Sequence, residues 1–340
     1  MHTADFSALL DSFEMAGRLM LRSSSRAAVL EWVTTPCVVT KPWSDISSGT
    51  NQSAGAQRKP SHVRTALINP ANTALSGTAL PYFPRGGPVP APPPDAALQS
   101  STRGWGGMEA GDGLLYPAQA VDGVVHALGG AELRRRLNEL PSHKIMAPPA
   151  GGDSKHRTLV EEVRCAEGNA VVVTTAGCCE LERMFDMICH TVPPFWPRNQ
   201  RNSTPDTCSD TSTDTSTWQR TMRSCYISSV NALVGATAVS GLDSRADTPG
   251  LWIATPLLGA GARGAPVAAA AEAAVEGALR ALGPMAAGTV DTSHVSARGL
   301  LLRFVLPELS ASEVFGEAVK LAATHHKELF DCYGVELVMR

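Results

Sequence analysis

The sequence predicts an α/β fold, a three-layer α/β/α sandwich with a central mixed sheet. Three observations predict it. Over the latter half of the chain, strand-like apolar segments alternate with segments of helical period, the pattern of a layered α/β domain. Ala66-Leu67-Ile68 is a short unbroken apolar run, as expected of a central strand covered on both faces. Residues 28–33 and 37–40 flank Thr34-Thr35-Pro36 and read as an antiparallel pair, which makes the sheet mixed.

Taken in order, residues 1–27 read as an N-terminal extension. Leu9, Phe13, Ala16 and Leu19 or Met20 recur at helical spacing and predict a short amphipathic helix. Arg18, Arg22 and Arg26, set among serines, resemble a mitochondrial transit segment, but Asp5, Asp11 and Glu14 oppose that reading. The expected compartment is the cytoplasm, with the mitochondrion as the alternative. A single domain is expected over 28–340. A turn over 43–47 and a surface loop over 48–62 follow the first strand pair. The run from Arg64 to Gly77 predicts a buried strand, an Asn-rich bend and a short helix. Pro70 has no N–H for a ladder and disfavours helix at Asn69, so the strand should stop there.

Two insertions interrupt the domain, at about 78–117 and 197–217. The first alternates Pro81, Pro84, Pro88, Pro90 and Pro92 with glycines, and no helix or strand period survives in it. The second is rich in Ser, Thr and Asp. Both read as extended or disordered. Between and after them, helices are expected at 118–128 and 131–140, and a linker-like loop at 141–157. Strands follow at 160–174 and 184–192, then a helix at 218–239 and a strand at 251–255. An Ala-rich helix at 266–282, a strand at 300–306, a helix at 310–330 begun by Ser310 or Ser312 with Glu313, and a strand at 335–339 complete the list.

Composition narrows the function classes. The chain has 340 residues, 44% of them hydrophobic, which supports a sizeable core; only 5% are aromatic, so that core must be mainly Ala, Val and Leu. A net charge of −3 gives no electrostatic case for nucleic acid or an anionic membrane. The eight cysteines make no C-x-x-C pair and no ligand-like spacing with His, so reduced thiols are expected and no metal site is. No apolar run reaches membrane-spanning length.

Asn69 and Asn72 are placed at the carboxyl end of a strand, where open α/β sheets bind ligands. Their amides can donate and accept, which suits sugar hydroxyls; the plainer reading is that both cap the bend. Around them lie Trp43-Ser44-Asp45-Ile46-Ser47, then Ala120-Val121-Asp122-Gly123-Val124-Val125-His126, then Ile253-Ala254-Thr255-Pro256 running into Gly259-Ala260-Gly261-Ala262-Arg263-Gly264. Gly168-Asn169-Ala170 with Thr174, and Ile188-Cys189-His190-Thr191-Val192, fit between them. In this order the segments resemble the macro domain, the ADP-ribose-binding and Appr-1''-p-processing family, with its G-D-I-T, V-N-A-A-N, G-G-V-D-G-x-I-H and G-T-G-x-Y-G-x-P pattern. The resemblance covers roughly residues 28–340 once the insertions are set aside.

The resemblance implies an intracellular ADP-ribose-binding protein that removes mono-ADP-ribose from modified proteins; the alternative is a catalytically inactive reader or a scaffold. Asp45, with Ile46 beside it, would accept from the adenine amino group, since an ionised carboxylate only accepts. Gly259, Ala260, Gly261, Ala262, Arg263 and Gly264 would bring backbone N–H groups to the diphosphate at a helix N-terminus. Asn69 and Asn72 would hold ribose, and Asn72 and Asp122 would orient a water. The plainer reading of Asp122 is a helix cap. Ser44 replaces the family's first Gly, Arg263 and Ala265 stand where rings are usual, and Tyr116–Ala120 replaces the poly-Gly run. His126 and His190 lie on apolar segments and read as core or supporting residues. The implied partners are ADP-ribose or a mono-ADP-ribosylated protein, with no cofactor, no membrane and no specific nucleic acid, and a monomer is expected.

Overall fold

Eight strands form one mixed sheet in a computed structural model of the chain, which describes residues 14–22, 27–35, 38–39, 43, 63–77, 120–147, 159–197, 211–239, 250–261, 263–286, 299–327, 331 and 336–339. The strands are β1 (Glu14–Arg22), β2 (Ala27–Thr34), β3 (Val63–Pro70), β6 (Ala170–Thr174), β7 (Met187–Thr191), β8 (Gly250–Pro256), β9 (Leu300–Leu306) and β10 (Glu336–Met339), in the order β10-β1-β2-β9-β8-β3-β7-β6. The five central strands, β2 to β7 in that order, run parallel; β1, β10 and β6 are antiparallel to their neighbours. A separate antiparallel pair joins β4 (His143–Ala147) to β5 (Leu159–Val163).

Helices cover both faces. On one face lie α3 (Thr211–Val239), α4 (Val267–Ala286) and α5 (Leu309–His325), packed through residues such as Tyr226, Leu279 and Phe315 against Ile68, Ile253 and Leu302. On the other lie α1 (Val121–Glu139) and α2 (Cys179–Met184), through Val125, Leu133 and Leu181 against Leu67, Ile188 and Ala254. Neighbouring strand residues go to opposite faces, the period of two that pleating imposes. This is the three-layer α/β/α arrangement with a mixed sheet that the sequence predicts. Among the described residues, no helix is long and apolar enough to cross a membrane.

Several local expectations change. The helix expected in the N-terminal extension is, over Glu14–Arg22, strand β1, with Leu19 and Leu21 fully buried. β-Pairing decided it, since β1 hydrogen-bonds to β2 on one side and β10 on the other. The antiparallel partner of β2 is therefore β1, and the described Val38 and Val39 form a turn. No short helix follows Pro70; residues 71–77 form a tight bend. The loop expected at 141–157 includes β4, and the strand expected at 160–174 is two strands separated by a turn. Of the second insertion, residues 211–217 belong to α3. The two helices expected on either side of residue 130 are both present and meet at Gly130, whose φ 60° and ψ −148° are not helical; together they make up α1. Residues 78–117 lie outside the described residues, as do 198–210.

The chain leaves the carboxyl end of β3 toward β7 on one side, and that of β8 toward β9 on the other. The crevice between β3 and β8 is therefore a topological switch point, where loops from adjacent strands diverge and ligands bind in open α/β sheets.

Candidate functional site

β3 ends at Asn69 and Pro70, and the bend after it is held at many points. The Ala71 N–H donates to the Thr191 carbonyl at 2.8 Å, and the Arg164 and Cys165 N–H groups donate to the Thr73 carbonyl at 2.8 and 3.1 Å. Asn72 secures the bend from inside. Its Nδ2 donates to Ser76 Oγ and the Gly77 carbonyl, each at 3.2 Å, and its Oδ1 accepts from the Ser76 N–H at 3.1 Å. Gly77 closes the bend at φ 79°, with its Cα so near His126 that an added Cβ would lie 2.6 Å from the ring.

Asn69 does something else. In the parallel register of β3 and β7 it stands opposite His190, so both side chains leave the sheet on the α1 face. Asn69 Nδ2 donates to Asp122 Oδ1 at 2.7 Å and lies 3.0 Å from His190 Nδ1. Asp122 is in the first turn of α1, whose N-cap is Ala120, and its carboxylate reaches the sheet. One turn further on, His126 Nε2 lies 3.6 Å from Asp122 Oδ1, and the His126 and His190 rings are 6.0 Å apart at an edge-on angle. All four side chains are buried, Asn69 and His190 completely. Burial pushes the His190 imidazole down to about 3, with His126 adding to the effect. Burial also lowers His126, outweighing the pull of the Asp122 carboxylate in the other direction. Both rings are thus neutral near pH 7.

The second half of the crevice is the loop after β8. Gly259 turns it at φ 89°, with no room for a side chain against Met222, whose Cε would be 2.7 Å from a Cβ there. Tyr226 accepts from the Leu258 N–H at 2.8 Å; Ala260, Gly264 and Ala265 donate to carbonyls within the loop. Among the described residues, the Gly259 and Gly261 N–H groups have no acceptor. α4 begins directly after, at Val267. Arg263 crosses the crevice. Its Nη2 donates to the Ala71 carbonyl at 2.9 Å, and its guanidinium lies over the Phe195 ring, 4.1 Å from the centroid.

The structure therefore brings Asn69 and Asp122 together, and it brings the Asn-rich bend to the Gly-rich loop through Arg263. It does not join Asn72 to Asp122, because the Asn72 amide is engaged within its own bend. The capping role holds for Asn72 but not for Asp122. Asp45, Ile46 and Ala262 lie outside the described residues. Trp43 is anchored between the rings of Phe185 and Trp252. Sequence reasoning passed over Phe195, a half-exposed ring at the mouth of the crevice; the Pro193-Pro194 break directly after a strand end was the available signal. It also did not group Asp122, His126 and His190, because His190 is remote in sequence and meets the other two only through sheet register.

A scan against protein-family models finds no match, and neither does a search of curated proteins. A search of solved structures does find similar chains. The Oceanobacillus iheyensis macrodomain with ADP is 16% identical, with 93% of this chain and 100% of that chain covered and a TM-score of 0.45. A Trypanosoma brucei macrodomain in complex with ADP is 13% identical, with 85% and 68% covered and a TM-score of 0.41. The same protein in complex with ADP-ribose is 14% identical, with 76% and 69% covered and a TM-score of 0.38.

Proposed function

We propose that this chain is a macro-type ADP-ribose reader whose ligand lies in the crevice at the carboxyl ends of β3 and β8. The observation that carries the reading is the Arg263–Ala71 hydrogen bond, which joins the Asn-rich bend to the Gly-rich loop at the switch point. The loop offers the Gly259 and Gly261 N–H groups beside the N-terminus of α4, a favourable place for a diphosphate. Asn72, Ala260, Ala262 and Gly264 complete the ribose and phosphate side in this reading, while Asn69, expected there from the sequence, is fully buried against Asp122 and His190 and supports the crevice wall from behind. Asp45 and Ile46 take the adenine, following Trp43, whose ring is fixed in the core.

Hydrolysis of mono-ADP-ribose from proteins asks more of the site than binding does. A water would have to be held between Asn72 and Asp122. The Asn72 amide is engaged in its bend, and Asp122 is buried against Asn69. Binding is therefore placed ahead of catalysis.

Calorimetric titration with ADP-ribose, with AMP alongside, tests the reading. Micromolar affinity for ADP-ribose is expected, about −8 kcal/mol, with weaker binding of AMP. Absence of heat and of any thermal shift would reject it. Release of ADP-ribose from a mono-ADP-ribosylated protein, lost in an Asn72→Ala, Asp122→Ala variant, would restore the hydrolase reading.

A further inference from the structure

We infer that Asp122, His126 and His190 form a binding site for one divalent first-row transition ion, with Zn2+ the best match. The site stands on this chain's own residues and does not depend on ADP-ribose binding. One carboxylate oxygen and one nitrogen from each ring lie within 4.8 Å of one another, all on buried residues. His126 Nε2 and Asp122 Oδ1 are 3.6 Å apart. Two ligand atoms at about 2.1 Å from a tetrahedral zinc ion are roughly 3.4 Å apart, so this pair needs almost no movement to close on an ion.

The second observation is a set of buried polar atoms without hydrogen-bond partners in the same cluster. His190 is fully buried, and its Nε2 has no hydrogen-bond partner. Both ring nitrogens of His126 lack one as well, with the side chain only 9% exposed. Asn69 Oδ1 is in the same condition. Buried polar atoms without partners are rare in folded proteins because each retains its desolvation cost. A bound ion would satisfy one nitrogen of each ring and draw on the Asp122 charge.

Asn69 reports on the same position. Its amide nitrogen, a donor, sits 2.7 Å from Asp122 Oδ1 and 3.0 Å from His190 Nδ1, between two groups that present lone pairs. A half-turn of the amide would place Oδ1 beside His190 Nδ1 to accept its N–H, the tautomer that leaves the Nε2 lone pair free for an ion. Two imidazoles and one carboxylate are the donor set of zinc and other first-row ions, not of magnesium or calcium, which take oxygen ligands. Asp122 and His126 come from the first turns of α1, and His190 from β7. An ion held by all three would fasten the start of α1 to the sheet beside the bend after β3, a structural role.

The test uses the full chain stripped with a chelator and titrated with Zn2+ or Co2+ alone. One ion per chain is expected, with a rise of several degrees in thermal midpoint. The Co2+ form should show visible d–d bands without the near-ultraviolet thiolate charge-transfer band of a cysteine site. His126→Gln should lower affinity by at least about a hundredfold, and Cys179→Ser should leave it unchanged. No uptake at micromolar metal, or uptake that persists in a folded Asp122→Asn, His126→Gln variant, overturns the site. Should those variants not fold, the wild-type Co2+ spectrum decides: thiolate bands, or no d–d bands, overturn it equally.

Discussion

Asn69 Nδ2 donates to Asp122 Oδ1 at 2.7 Å, joining the end of β3 to the first turn of α1 in a place sealed from solvent. A hydrogen bond to a buried carboxylate contributes about 1.5–3 kcal/mol. Asn69→Ala should therefore lower stability by about 2 kcal/mol or more. Asp122→Asn should cost less in the Asn69→Ala background than alone. Urea denaturation of the four proteins of that cycle measures the coupling, and additive losses would show that the pair does not act together.

Arg263 links the loop after β8 to the bend after β3. Arg263→Ala removes the hydrogen bond to the Ala71 carbonyl and the contact with Phe195. A modest loss of stability is expected, about 1 kcal/mol. The loss in ADP-ribose affinity should be larger, about tenfold, because both walls of the crevice lose their link. Arg263→Lys should recover little, since a lysine cannot stack a planar group on Phe195 while reaching the carbonyl. Calorimetry and melting curves on the same preparations separate the two effects, and unchanged affinity in Arg263→Ala would detach this residue from the ligand site.

Glu31 and Arg303 form a buried ion pair on neighbouring strands, with Arg303 Nε 2.8 Å and Nη2 2.7 Å from Glu31 Oε2. Arg18 reaches the other carboxylate oxygen from β1. Removing Glu31 leaves the Arg303 charge buried without its carboxylate, at a cost of about 3–5 kcal/mol, whereas a Glu31 that loses Arg303 keeps Arg18. Glu31→Leu should therefore be severely destabilising. Arg303→Met combined with Glu31→Leu should recover much of the loss. A double variant no more stable than the single one would show that the pair supplies net stability beyond avoiding an isolated charge.

The buried thiols give the fold an alkaline limit. Burial pushes Cys165 up to about 11, and Cys189 and Cys225 up to about 12. The unfolded chain ionises the same groups near 9. Their folded values lie above the unfolded ones, so the stability they contribute is intact below pH 9 and is lost as pH rises from there toward 12. Urea midpoints should fall on the alkaline side of pH 9. Iodoacetamide should label the exposed Cys179 in the native state and spare Cys165, Cys178, Cys189 and Cys225 until unfolding. Rapid native labelling of Cys189 would contradict its burial.

Much of the layer architecture was legible in sequence because the signals were local. Ala66-Leu67-Ile68 before Pro70 marked a buried strand and its end, and the Ala-rich run after Pro266 marked α4. Strand β1 was not legible, since Leu19 and Leu21 fit a helical stripe as well as a strand and only pairing with β2 and β10 settles the choice. In the site, Asn69 and Asp122 were visible as candidates one by one. Their contact was not, and neither was the inward turn of Asn72, because sequence spacing carries no information on which of two nearby amides faces a helix start. The His126–His190 association depends on β3–β7 register, a property of the assembled sheet.

The placement of β1 bears on how the molecule is made. β1 and β2 precede the other described strands in the chain, yet β2 waits for β9 and β1 waits for β10, the last strand described. Until then each leaves a row of unpaired backbone groups open to other chains. Closing the sheet at this edge depends on contacts between strands far apart in sequence, which form slowly. Grafting β10 directly ahead of β1 should speed refolding.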